Sequence, residues 1–554
     1  MKKLYILLTI IVATFSSCEK YLDRDPLDSP SDETFLQNES EFEMAITGCY
    51  NSLWHHPVDN LPFMVTLESA SDIGWDRNGS ALQSLGKGVT NSDNSYTGGF
   101  WSSFYRGIGR CNYVIEKGAP LANKMDQAKF NRLMAEARFL RAYYYSIINE
   151  LFGGVPLVTK PIQISESQIP RSTKEQVMDF ILSELDEAAK YLLDKTDAKT
   201  KGKVTKGTAL ALKSRIALYN GRWDVAAKAA QDVMDLKLYS LYNNYGDLFL
   251  YKGQNAAEII WTVQYQKGTA TNSMTRCFYS RMALGHSNKI PVQSLVDSYE
   301  VTDGMAIDKS PLFDPAKPFA NRDPRLGFTV VLPQSLFINY IFDTNKDSLK
   351  TWDYSTNPPK RITNTEATHA YATFSGYLWR KYADIADKDD RDNCEIDFIL
   401  FRYAEVLLNY AEAKIEANQI DQSVYDAINA VRTRPSVNMP PITTGKTQAE
   451  MRSIIRKERK YELSGEGFRL FDIRRWKIAD QVMAGDLLGR VPNGYLSNAP
   501  AIDSNGTPTY SNVTNKSKMR VIEVRLFDKD KDYLWPIPRL ETEVNKALEQ
   551  NPKY

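Results

Sequence analysis

Apolar residues recur at spacings of three and four along most of the chain. Over 131–152 (NRLMAEARFLRAYYYSIINELF), Leu133, Ala137, Leu140, Tyr144, Ile148 and Leu151 form one stripe, which predicts a long amphipathic helix. Gly153-Gly154-Val155-Pro156 then ends it. The same period predicts helices over 172–193, opened by a capping box from Ser172 to Glu175, and over 208–220, 223–236, 399–417 and 424–432. A last helical stretch, 447–484, carries a break near Ser464-Gly465. The fold class is mainly α.

Two stretches repeat a helix-turn-helix pattern: TALALKSRIALYNGRWDVAAKAAQDVMDL from Thr208 and AEVLLNYAEAKIEANQIDQSVYDAINAVR from Ala404. Small alanines stand where two helices must approach closely, and a short turn separates them. This is similar to the tetratricopeptide repeat, without its tandem period. The pairs read as a scaffold interrupted by long insertions. The stretch 72–99 is rich in Gly, Ser and Asn, whereas 264–288 and 336–393 mix loops with short β-prone pieces. Connections of that length in compact proteins are usually functional or disordered.

Composition narrows the function classes. The chain has 554 residues, 43% apolar and 25% charged, the proportions of a globular protein. Lys and Arg total 69 against 68 Asp and Glu. This balance supplies no global attraction for nucleic acid, so a charged partner has to meet a local patch. The segment 452–477 is locally basic, but Glu458, Glu462, Glu466 and Asp472 stand three or four residues from its Arg and Lys, which predicts structural ion pairing along helices.

The N-terminus has a charged start (Met1-Lys2-Lys3), an apolar run from Leu4 to Phe15 and Ser16-Ser17 before Cys18. This pattern predicts an export signal over 1–17, too short for a mature membrane span. A cysteine at the cleavage point marks a bacterial lipoprotein, with Cys18 as the lipidated residue; Phe15 departs from the commoner leucine. Cys49, Cys111, Cys277 and Cys394 form no C-x-x-C pair and predict neither a zinc site nor an obligatory disulfide.

No G-x-S-x-G, H-E-x-x-H or Walker sequence occurs, and His55, His56, His286 and His369 lack metal-ligand or triad spacing. The acidic run 387–392 lacks the glycine and terminal glutamate of a calcium loop and reads as a solvated turn. No catalytic residue, metal or cofactor is expected.

Nine blocks, in order, carry a family resemblance. They are CEKYLDRDP at Cys18, EARFLRAYYYSIINELFGGVPLV at Glu136, RSTKEQVMDFILSELDEAAKYL at Arg171 and KVTKGTALALKSRIALYNGRWDVAA at Lys203. VDSYEVTDG follows at Val296, NRDPRL at Asn321, FRYAEVLLNYAEA at Phe401, RKERKYELSGEGFRLFDIRRWK at Arg456 and YLWPIPRLETEVNKALEQNPKY at Tyr533. In this order the chain resembles the SusD/RagB family of Bacteroidetes outer-membrane nutrient-binding lipoproteins. The resemblance implies a SusD-like helical fold with an N-terminal region over 18–250 and a C-terminal region over 251–554 in one compact body. It further implies lipid attachment to the outer membrane facing the cell exterior, a SusC-like TonB-dependent transporter as partner, and oligosaccharide capture without catalysis. The alternatives left open are peptide or glycoprotein-derived cargo in the same role and, from another class, a glycoside hydrolase.

Sugar recognition needs exposed aromatic faces with polar groups around them. The first candidate is Asp72-Ile-Gly-Trp75-Asp-Arg77-Asn78, where a tryptophan sits among polar residues with no apolar period to bury it. The second is Trp352 with Tyr354 in a polar, Pro-bounded loop, and the third is Tyr279. Trp101 begins a helical, core-like pattern with Tyr105 and Ile108. Trp223, Trp476 and Trp535 belong to the scaffold blocks, and Trp379 alternates with Tyr377 as a half-buried strand.

Overall fold

A computed structural model describes residues 35–554; the export signal and Cys18 lie outside the described residues. Among the described residues the nine longest helices build the body: α1 (Glu39–Tyr50), α2 (Ser95–Gly118), α3 (Gln127–Phe152), α4 (Lys174–Ala189), α5 (Lys206–Tyr219), α6 (Trp223–Asp235), α7 (Tyr403–Glu416), α8 (Gln422–Arg432) and α9 (Gln448–Leu463). Each packs on the next in chain order from α1 to α8, and α9 returns onto α7. The stack shares one apolar core, running from Phe42 in α1 through Phe139 and Leu140 in α3 to Met451 and Ile455 in α9. Stacked pairs thus bury faces that no single helix could bury alone.

Local chemistry fixes the helix ends, with some departures from expectation. The box that opens α4 uses Thr173 and Gln176, one residue beyond the expected Ser172 and Glu175. Thr447 and Glu450 cap α9 in the same way. The expected helix over 399–417 is a strand followed by a helix: Phe398–Arg402 is fully buried on both faces, where a continuous apolar run suits a strand better than an amphipathic helix. The break after α9 falls at Gly465 and Gly467, both with positive φ. A Cβ on Gly467 would lie 2.2 Å from the Met64 carbonyl oxygen, so only glycine fits. The helix α2 begins inside the stretch read as an insertion, capped by Asn94, and its Trp101 is buried.

Two strand ladders anchor the long insertion. β2 (Ile259–Val263) pairs antiparallel with β8 (Phe398–Arg402), so the chain leaves and rejoins the helical body at one place. Further out, Val330–Val331 pairs with Leu378–Trp379, and all four side chains are buried. Trp379 is therefore core rather than half-buried. From that base rises a four-stranded antiparallel sheet, β4 (Ser335–Phe337), β5 (Tyr340–Phe342), β6 (Lys350–Asp353) and β7 (Lys360–Thr363). Elsewhere β1 (Gly74–Asp76) pairs with β3 (Lys289–Pro291).

The basic segment 452–477 is structural, but its pairs cross the fold instead of running along helices. Arg402 of β8 reaches Glu258, Glu462 and Glu466 at 2.7–2.9 Å. Arg325 reaches Glu458 at 2.5 Å and Asp323 at 2.7 Å, while Arg432 joins Glu458 to Glu300. Asp472 alone keeps a pair at helical spacing, with Arg475. Burial raises the Glu462 pKa, but Arg434, Arg402 and Arg325 outweigh it and hold the carboxyl at about 2. Cys49, Cys111, Cys277 and Cys394 are buried free thiols. Of the scaffold tryptophans, Trp535 is fully buried, whereas Trp223 and Trp476 are only partly covered. The acidic run 387–392 is less solvated than expected, because Asp387 is buried and accepts from Tyr251 and Thr275.

Candidate functional site

The structure divides the expected ligand residues into buried and exposed sets. Trp75 sits in β1, opposite Ile290 of β3, and its ring stacks on Phe374 with centroids 5.5 Å apart. It is 4% exposed and offers no face to a ligand. The polar residues around it had suggested exposure, but the pairing of β1 with β3 draws the tryptophan inward. Asp72 is also buried, in a two-pronged ion pair with Arg469 at 2.7 Å on both oxygens. Tyr279 is fully buried, its hydroxyl donating to the Asp384 carbonyl and its ring edge-on to Phe337. These three residues hold the surface from beneath, which corrects their expected place on it.

Arg77 and Asn78 leave β1 toward the surface. Asn78 donates to Asp59 at 2.8 Å, and Asp59 also accepts from Asn288 and Lys289. Arg77 donates to the carbonyls of His286, Ser287 and Tyr371. Its guanidinium lies 5.4 Å from the Tyr371 ring centroid. Arg281 approaches the same tyrosine, donating through Nε to the Tyr371 carbonyl at 2.9 Å. Tyr371 itself is 60% exposed. Two arginines thus fix the backbone of an outward-facing aromatic ring, with His369 5.9 Å away ring to ring.

The second patch is the outer sheet. Trp352 on β6 stands directly across from Arg361 on β7, whose guanidinium lies 5.3 Å from the indole centroid. Trp352 is 39% exposed and Tyr354 47%; the Tyr354 amide donates to the Asn339 carbonyl at 2.7 Å, which fixes the chain as it leaves β6. The two patches are joined by chain and by bonds. β7 runs into the short helix Thr365–Thr368, which ends three residues before Tyr371, whose amide donates to His369 Nδ1. Asn364, buried at that junction, donates to the carbonyls of Asp343 and Ser348.

Two guanidiniums stand near the Tyr371 ring, those of Arg77 and Arg281. Partial burial, and then the proximity of Arg281, push the Arg77 pKa down; burial does the same for Arg281. His286 and His369 are pushed down by burial and by neighbouring arginines, which leaves both neutral at pH 7. A further aromatic pair, Trp54 stacked on Tyr265, borders a depression of about 360 Å³ beside α1. Tyr371, Arg281 and Trp54 were not singled out as ligand residues. Tyr371 had a readable signal, an aromatic in a polar insertion, but the same signal also fits Trp75.

The geometry and the sequence agree with known proteins. A profile described as the SusD family matches residues 257–554, and one described as starch-binding associating with outer membrane matches 20–218. The chain belongs to the SusD family. A SusD-like carbohydrate-binding protein from Bacteroides fragilis is 30% identical, covers 93% of this chain and all of its own, and superimposes with a TM-score of 0.80. A second SusD-like protein from that organism is 25% identical over 96% of this chain and all of its own, with a TM-score of 0.76. SusD-like protein P2 of Formosa agariphila is 25% identical over the whole of both chains. This SusD-family chain carries the family's mainly helical architecture, and its aromatic surface stands on the insertions. No helix among the described residues is long and apolar enough to cross a membrane.

Proposed function

We propose that this SusD-family protein binds oligosaccharides at the surface formed by Tyr371, Trp352 and Tyr354, with Arg77, Asn78 and Arg281 as polar partners. The observation that carries the reading is the exposed Tyr371 ring, anchored from behind by two arginines. A rigid aromatic face stacks on the C–H face of a pyranose, and polar groups at its rim meet the hydroxyls. The relative from Bacteroides fragilis is a carbohydrate-binding protein, which supports the same ligand class here. The role is capture rather than cleavage, with delivery to a SusC-like TonB-dependent transporter. Attachment runs through a lipid on Cys18 at the outer membrane, facing the exterior, in keeping with the outer-membrane description of the N-terminal match.

A glycan array tests the ligand, comparing the wild type with Tyr371→Ala. Wild-type binding that the substitution removes, with oligosaccharides left at their original length by chromatography, supports the reading. Equal binding by both proteins, or shortened chains, refutes it. For the anchor, Cys18→Ala is expected to lose fatty-acid labelling.

A further inference from the structure

The candidate surface gathers several basic side chains around Tyr371, Phe374 and Trp352. Arg77 and Arg281 bond to carbonyls, and the two η nitrogens of Arg281 make no hydrogen bond among the described residues. Lys346 donates to the carbonyls of Glu366 and Ala367. Arg361 lies over Trp352, and Arg520 lies over Phe374 at 4.0 Å from its centroid. Among the described residues none of these five forms an ion pair with a carboxylate. The carboxylate in their midst, Glu366, is 1% exposed, and its Oε1 is taken by the Arg281 amide. Asp59 already serves Asn78, Asn288 and Lys289, Asp76 is paired with Lys289, and Asp353 on β6 stands across from Lys360.

We infer that this surface selects acidic glycans, whose sugars carry a carboxylate or a sulfate, over neutral ones. The inference rests on the oligosaccharide reading above and names the class of sugar. A half-buried guanidinium has lost part of its hydration, and an anionic sugar group supplies both the counter-charge and a planar pair of acceptors. Exposed aromatics beside it take the ring of the same residue. Because Lys and Arg nearly balance Asp and Glu over the whole chain, the preference is local and not a general affinity for polyanions. The unbonded η nitrogens make Arg281 the principal contact, while Arg77, tied to three carbonyls, holds the tyrosine in place.

The test uses detergent-solubilised full-length protein in affinity electrophoresis. The gels contain polygalacturonate, alginate, chondroitin sulfate or ι-carrageenan as acidic polymers and laminarin, xylan or amylopectin as neutral ones. Retention by an acidic polymer is expected, weakening at least about tenfold with its carboxyl-reduced or desulfated counterpart. The two counterparts tell a carboxylate ligand from a sulfate one. Raising salt from about 0.05 to 0.5 M should weaken that binding. Arg281→Gln is expected to lose about tenfold on the acidic polymer with an unchanged melting temperature. Retention by neutral polymers as strong as by acidic ones overturns the inference and leaves the glycan reading intact. The matched polymers decide this on the wild type even where the variant folds poorly. If no polymer of either set retains the protein, the glycan reading fails and the inference falls with it.

Discussion

Arg402 and Arg281 carry the same guanidinium into opposite settings. Arg402 is buried at the centre of the helical stack, with Glu258, Glu462 and Glu466 all within 3 Å. Arg281 lies half-exposed on the insertion, its guanidinium bonded to one carbonyl and to no carboxylate. In the first setting charge is neutralised inside the protein, and the network ties β8, α9 and the turn after it together. In the second the neutralising partner is missing from the protein itself. The contrast separates a charge neutralised within the fold from one whose counter-charge, on the proposal above, comes with the ligand.

The largest expected effect comes from breaking the inner network. Glu462→Ala takes one carboxylate away from each of Arg402, Arg434 and Arg325 in the core, leaving three buried guanidiniums short of counter-charge, and should destabilise by about 3–5 kcal/mol, read by chemical denaturation. Replacing Arg281 should leave stability within about 0.5 kcal/mol. Comparable in size is Trp75→Ala: with the indole buried against Phe374, the expected cost is about 3–5 kcal/mol of stability, with a binding loss no larger than misfolding explains. A Trp75→Ala protein that melts normally yet fails to bind would return this residue to the ligand surface.

Smaller effects sharpen the outer half of the comparison. Tyr371→Ala and Trp352→Ala should each weaken glycan binding about ten- to a hundredfold in calorimetric titration, with little change in melting temperature. The pH dependence is the finest probe. Glu462, held at about 2, adds stability above the ordinary carboxylate value and loses it as pH falls from about 4.5 toward 2. Glu68 runs the other way. Burial raises its pKa to about 7, so the native state loses stability as pH rises from about 4.5 through 7, and Glu68→Gln should flatten that slope. Denaturation midpoints at pH 3, 5 and 8 for both proteins would expose either error of sign.

The helical stack was legible because its information is local. A period of 3.6 residues, a cap read at Ser172 that falls one residue on at Thr173, and a break read near Ser464-Gly465 all lie within a few residues of what they control. Only the first turn of α2 was missed, since Gly98, Gly99 and the surrounding serines and asparagines read as loop, whereas the pattern from Trp101 through Tyr105 to Ile108 reads as helical and core-like and is so. The surface was legible only in part. Trp75 and Tyr371 both stand among polar neighbours, and what separates them is a partner strand more than 200 residues away in the sequence, which covers one and not the other. Likewise nothing near Asp72 announces Arg469.

The pairing of Val331 with Leu378 has a consequence for how such a protein can change. Residues 332–377, which carry Trp352, Arg361 and Tyr371, leave from and return to adjacent positions on one ladder. Opposite residues there stand about 5 Å apart, so that segment could be lengthened, shortened or exchanged between homologues without moving its two ends. Doubling its length would add only about 0.6 kcal/mol of closure entropy. Arg77 and Arg281, by contrast, are supplied from outside the segment. A new ligand preference can therefore arise from one contiguous replacement set against two fixed arginines, while the helical stack and its ion pairs go untouched.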